Sequence, residues 1–130
     1  MIRSGRIRRR PAGDVAILEC TGRLEPYEEG DELVWEVERL LKEGINRIVL
    51  DTRRVSFISS LGVGSLINSL RLVEKQDGAL CLLNPSYSVR QILTVSKLSS
   101  LFPSFTDEAE ALAALRSKQP APNTGKESQV

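Results

Sequence analysis

The sequence contains no histidine. Histidine is the commonest metal ligand and the commonest general base near neutral pH. Its absence argues against zinc sites and Ser-His-Asp hydrolase chemistry. Cysteine occurs twice, at Cys20 and Cys81, each inside a strand-like apolar run and with no CxxC spacing. Both read as small buried hydrophobes. Aromatic residues make up 5% of the chain, too few to offer much stacking surface to nucleic-acid bases. No apolar run approaches the roughly 18 residues of a membrane span. No apolar signal segment follows the N-terminal arginines, so a cytoplasmic location is expected.

What is present fits one domain with a single core. The chain has 130 residues, 41% hydrophobic and 27% charged, an ordinary soluble composition. The net charge of +1 hides an asymmetry: Arg3, Arg6, Arg8, Arg9 and Arg10 crowd the first ten residues. Between Glu25 and Glu43 eight acids face two bases, Arg39 and Lys42. The basic arm reads as an edge strand guarded by charge, in preference to a nucleic-acid or anionic-lipid contact. The acidic stretch reads as the solvated face of a helix.

Hydrophobic periodicity divides the chain into alternating elements. A weak strand spans Ile2–Arg10, followed by a turn at Pro11–Asp14. Val15–Cys20 is an apolar strand. Leu33, Val34, Val37, Leu40 and Leu41 form one helical stripe that stops at Gly44. Arg47–Asp51 is a second buried strand. Val63, Leu66, Ile67, Leu70 and Val73 mark the next helix, ended near Asp77 and Gly78. Ala79–Asn84 is a strand, and Pro85 suits the first turn of a helix carrying Val89, Ile92 and Leu93. Leu101–Phe105 forms a short edge strand, because Pro103 forbids a central one. Thr106 is expected to cap a last helix with Ala109, Leu112 and Ala113 facing inward. From Ser117 onward the chain is polar and is expected to be a disordered tail, residues 117–130. The order β, β, α, β, α, β, α, β, α predicts an α/β fold with parallel strand pairs after an antiparallel hairpin.

One junction draws attention. "SFISSLGVGSL", Ser56–Leu66, packs four serines and two glycines between a strand and a helix. Ligand-facing groups gather beyond the carboxyl ends of strands in such sheets. Ser60 falls where the helix begins, so helix capping is the plain structural role for its hydroxyl. Gly62 and Gly64 would permit close approach of helix and strand. The segment lacks the lysine of a phosphate loop and does not continue as GxGxxG, since Ile67 occupies the third glycine's place. Nor is it the GxSxG of a nucleophilic serine. What remains is a hydroxyl at a helix N-terminus, a good acceptor for phosphorylation. The added phosphate would carry about −1.5 to −2 charges, tolerated by the helix dipole but repelled by an acidic partner.

These residues carry a resemblance. "RIVLDTRRVSFISSLGVGSLINSLRLV" resembles the central segment of STAS domains, the anti-sigma factor antagonist family, whose usual form is a strand ending in "VDLS" and then "VTFIDSSGLGALL". "AILECTGRLE" resembles the family's "VVRLSGELD", and "ALCLLNPSYSVRQILTVSKLSSLFPSFTDEAEALAAL" resembles its C-terminal half. The likeness covers roughly residues 7 to 116 and implies a STAS-type sheet of about five mixed strands with about four helices, a domain over residues 1–116. It places the family's phosphorylated serine on Ser60, with Ser59 as second choice. Ser59 stands where the family commonly has aspartate, and Leu61 where it has a second serine. Gly62 and Gly64 match its glycines, Glu25 matches the acid closing the "GELD" turn, and Asn84 matches the residue near which a strand ends.

The resemblance implies a protein-interaction module rather than an enzyme. Its partner would be an anti-sigma factor of the histidine-kinase-like ATPase type, which binds the serine loop and phosphorylates it; a serine phosphatase would restore binding. Glu25, Ser59, Ser60, Leu61, Gly62, Gly64 and Asn84 are the expected contact residues. No direct nucleic-acid contact and no membrane span are expected, and the chain is expected to be a monomer or weak dimer. The alternative is an unphosphorylated STAS subunit of a lipid-transport ATPase complex or of a stressosome-type scaffold.

Overall fold

The computed structural model describes residues 6–26 and 30–117. Two strands, β1 (Arg6–Ala12) and β2 (Val15–Leu24), form an antiparallel hairpin around Gly13. Helix α1 (Glu32–Lys42) leads to β3 (Arg47–Ile58), α2 (Ser60–Lys75) to β4 (Ala79–Leu83), and α3 (Tyr87–Val95) with a short 3-10 turn to β5 (Ser104–Phe105). Helix α4 (Glu108–Ser117) comes last. The strands lie side by side in chain order, β1-β2-β3-β4-β5, and every pair after the first is parallel. The expected five mixed strands and four helices are all present.

Sequential strand order has a consequence for the layers. Crossovers of one hand that step in one direction across a sheet all land on the same face. Helices α1, α2 and α3 accordingly pack Leu33, Val37, Leu66, Leu70, Val89 and Leu93 into one cluster against Leu18, Leu50 and Leu82. The alternate strand residues Ile17, Val49 and Cys81, paired in one row, face the other way. There they meet Ala111 and Leu115 of α4. The central strands are apolar on both faces because helices cover both.

Strand β1 is the edge the basic arm was expected to form. Pro11 sits within it opposite Ala16, at a position an edge strand tolerates. Arg9 grips Glu43 with two bonds of 2.8 and 3.0 Å. Arg10 reaches Glu19 and holds both oxygens of Glu108 at 2.7 and 3.0 Å. Arg3 and Ile2 lie outside the described residues, as do 118–130 of the expected tail.

Several boundaries differ from expectation. Strand β3 runs seven residues past Asp51, to Ile58. Helix α3 takes its cap from Ser86, whose Oγ accepts from the Val89 N–H, so Pro85 lies just ahead of the helix rather than in it. Helix α4 is capped by Asp107, not Thr106: the Glu110 N–H donates to Asp107 Oδ2 at 3.1 Å. Its buried residues are Ala111 and Leu115, while Ala109 and Ala113 are exposed and Leu112 is half-buried. Alanines contribute little to a hydrophobic stripe, so the phase of this one is weakly marked in the sequence. The helix includes Ser117, one residue past the expected boundary.

The hydrogen bonds from Arg10 hold the Glu108 carboxyl below the usual carboxylate range. A depressed folded-state pKa stabilises the fold above the unfolded pKa, and that stability is lost as pH falls through the folded value. Urea midpoints measured from pH 7 down to pH 2 should therefore fall less steeply in Glu108→Gln than in the parent chain. Parallel curves would show that the pair contributes nothing.

Candidate functional site

The long β3 sets the position of the serine loop. Strand β4 pairs with it only over Arg47–Asp51. Beyond that point β3 continues with β2 alone, ending at the pair Leu24 and Ile58. Two register irregularities, between Glu19 and Thr21 and between Gly22 and Arg23, interrupt this ribbon. Bulges of this kind twist a strand pair and re-aim the chain beyond them. The ribbon extends past the end of β4, and α2 starts at its tip.

Three contacts seat the start of α2. The Ser59 N–H donates to the Leu24 carbonyl at 3.3 Å. Ser59, with extended backbone (φ −86°, ψ 172°), is the N-cap, and its Oγ accepts from the Gly62 N–H at 3.1 Å. Gly62 itself presses on the ribbon: a Cβ there would lie 2.1 Å from the Leu24 oxygen and 2.9 Å from Ile58. No side chain fits without moving backbone. Gly64 is different, since a Cβ there meets nothing within 4 Å. The close-approach role expected of both glycines belongs to Gly62 alone.

The capping role expected of Ser60 therefore falls on Ser59. Ser60 is the first helical residue, exposed, and its hydroxyl has no hydrogen-bond partner among the described residues. Serine and aspartate are about equally good N-caps. Ser59 thus keeps the capping chemistry of the aspartate that the resemblance places there, and lacks its charge.

Two large apolar side chains close to Ser60 in the chain are exposed. Leu61 is 66% exposed and Phe57 38% exposed. The Arg23 guanidinium lies over the Phe57 ring, 4.1 Å from its centroid, and its Nε bonds Glu25 at 3.0 Å. An exposed cation–π contact is worth about 0.5–1 kcal/mol and an exposed ion pair about 0–1 kcal/mol, enough to bias the two side chains without freezing them. Behind this surface, Asp31 ties α1 to α2. Its Oδ1 accepts from the Val34 N–H, capping α1, while its Oδ2 accepts from the buried Ser65 hydroxyl. Ser65 gives no sequence signal beyond lying in the same serine-rich segment; only the fold sets it against Asp31.

Glu25, Ser59, Ser60, Leu61 and Gly62 are thus gathered around the ribbon tip, with Gly64 in the next part of the first turns of α2. Asn84 is not. It follows the last residue of β4, level with Thr52, where the Ser86 N–H meets the Thr52 carbonyl. Six residues of β3 lie between that level and Ser59, seven steps or roughly 23 Å along the strand at the usual rise. Cys20 is buried, which pushes its thiol up to about 12, and Cys81 is buried too. Among the described residues, no group of three His, Cys, Asp or Glu side chains is placed to hold a metal ion.

A five-stranded sheet with three helices on one face, and a serine-capped helix at the tip of the long β2–β3 ribbon, define a small α/β domain. The STAS domain model matches residues 12–111, and the chain belongs to that family. The Anti-sigma F factor antagonist of Paenibacillus polymyxa is 26% identical over 103 residues, covering 78% of this chain and 86% of the relative. Two solved structures share the fold. An anti-sigma factor antagonist from Mycobacterium paratuberculosis superposes with a TM-score of 0.73 at 18% identity, over 88% of this chain and 96% of the other. The anti-sigma factor antagonist SpoIIAA in its unphosphorylated form gives 0.66 at 20% identity, over 87% and 100%.

The two glycines offer a direct check. Gly62→Ala should destabilise the chain by about 1–3 kcal/mol, the range for forcing an atom into a filled site. Gly64→Ala should stabilise it by up to about 1 kcal/mol, the helix preference of alanine over glycine. Urea titration of both variants measures this, and equal effects of the same sign would refute the assignment.

Proposed function

We propose that the chain is an anti-sigma factor antagonist. It binds an anti-sigma factor through the tip of the β2–β3 ribbon and the first turn of α2, and phosphorylation of Ser60 ends that binding. The observation that carries this reading is the division of labour between adjacent serines. Ser59 is committed to the cap, while Ser60 is exposed and without a partner among the described residues. A kinase can take up a hydroxyl in that position without unravelling the helix end.

The chemistry supports a switch. A phosphate on Ser60 would sit at a helix N-terminus, where free N–H groups and the dipole favour negative charge. The fold would tolerate it. A partner docked on Leu61 and Phe57 would instead face a dianion beside an apolar contact, with its desolvation cost. A related protein, the Bacillus cell fate determinant SpoIIAA, has a structure in its phosphorylated form, 24% identical to this chain with a TM-score of 0.66. The kinase-type partner, the opposing phosphatase, a cytoplasmic location and a non-enzymatic role belong to the same proposal.

The exposed Leu61 also suits a permanent contact, as in a static STAS subunit of a larger complex. Incubation with ATP and the kinase-type anti-sigma factor of the same host separates the two. Intact mass and peptide mapping should find one phosphate, on Ser60. Ser60→Ala should lose it, whereas Ser59→Ala should keep it and lose about 1 kcal/mol of stability with the cap. No incorporation by a kinase shown active on another antagonist would leave the static reading standing and end the switch.

A further inference from the structure

A second surface of the molecule carries chemistry that the serine loop does not use. At the carboxyl ends of β4 and β5 a groove of about 530 Å³ opens between β5 and the start of α3. That volume lies within the range of small-molecule sites, about 300–1,000 Å³. Arg53 lines it from the β3 side and Arg90 from α3. No acidic side chain lines it. Neither guanidinium is ion-paired with a described residue. Arg9, Arg10, Arg23, Arg39, Arg47 and Arg116 each have a carboxylate within 4 Å, whereas Arg6, Arg8, Arg54 and Arg71 also lack one among the described residues; Arg53 and Arg90 differ from those four in sharing a groove.

The rest of the lining is polar or flat. Ser104 and Thr106 bring hydroxyls, Asn84 an amide, and Tyr87 a ring that is 70% exposed. Asn84 therefore faces a site of its own, away from Ser60. Its backbone, at φ 48°, turns the chain out of β4, and its N–H donates to the Phe105 carbonyl at 2.7 Å. The Ser86 N–H reaches the Thr52 carbonyl at 3.3 Å, fixing α3 against β3. The two arginines are thus presented from elements already held in place.

The geometry points to a binding site for a small phosphomonoester. Asp51 lies two residues from Arg53 and accepts from its backbone N–H at 3.2 Å, not from its guanidinium. Two guanidiniums that no described carboxylate holds match a dianion better than a monoanion, since each can donate a pair of charge-assisted hydrogen bonds. The exposed Tyr87 ring offers a stacking face to a flat group on the ester. The site is independent of Ser60 and does not rest on the antagonist reading.

The test is a titration of the full chain monitored by 1H–15N NMR at constant ionic strength. The probes are inorganic phosphate, glycerol phosphate and phenyl phosphate, with chloride as the control. Saturable shifts are expected at Arg53 and at Ser86–Arg90, with the Ser60 loop unmoved. Arg53→Gln and Arg90→Gln should each weaken phosphate binding about tenfold, the loss of roughly one charge-assisted bond. Both are surface changes, and the spectra themselves report whether the fold is intact. Phenyl phosphate binding more tightly than glycerol phosphate, with the preference lost in Tyr87→Ala, places the ring on Tyr87. Equal affinity of the two esters assigns the site to the phosphate group alone, still through the arginine pair. Shifts that fail to saturate, that chloride reproduces, or that persist unchanged in both arginine variants overturn the site.

Discussion

The carbonyl oxygen of Leu24 fixes the arrangement of the ribbon tip. It accepts from the Ser59 N–H, and the Gly62 backbone lies so close to it that no Cβ fits between them. That contact locks the first turn of α2 to the end of β2. Once it is made, Ser59 has the extended backbone of a cap and Ser60 is the first residue inside the helix. Which serine is tied and which is free depends on one backbone approach and not on the chemistry of the side chains, which are identical.

The rest of the fold holds that approach in place. Leu24 and Ile58 bury their side chains in the same cluster as Leu33, Val63 and Leu66, so the ribbon, α1 and α2 share one core. Asp31 couples the helices a second time, by capping α1 while accepting from Ser65 on α2. Bulky side chains at the tip instead face solvent, with Arg23 stacked on Phe57 and Leu61 standing clear. A packed base with an exposed apolar rim suits a docking surface, because binding then has little backbone to order.

Much of this was legible in the sequence, and the limits have physical causes. The stripes at Leu33, Val37 and Leu40 and at Val63, Leu66, Leu70 and Val73 obey the helical period, and both helices formed where that period placed them. The antiparallel hairpin and the parallel strands after it could be read from element order alone. The second half of β3 could not, because "TRRVSFI" is paired on one side only, so its exposed residues read as loop. The cap was ambiguous for a related reason. Two adjacent serines have equal capping ability, and the choice between them depends on the approach of Ser59 and Gly62 to the Leu24 carbonyl, a contact between distant segments that local sequence does not show. Asn84 was assigned to the loop by resemblance, and strand pairing puts it at the other end of the β3 extension. Arg53 and Arg90 lie far apart in the chain and in no motif, so only the fold brings them to one groove.

The most direct test of this account is amide hydrogen exchange at Gly62. Its N–H is bound to Ser59 Oγ and held against the ribbon, so in the parent chain it should exchange slowly. In Ser59→Ala the acceptor is gone, and the rate should rise by about fivefold or more, matching a cap worth roughly 1 kcal/mol. In Ser60→Ala it should be unchanged. Acceleration in Ser60→Ala with none in Ser59→Ala would exchange the roles of the two serines and contradict the account.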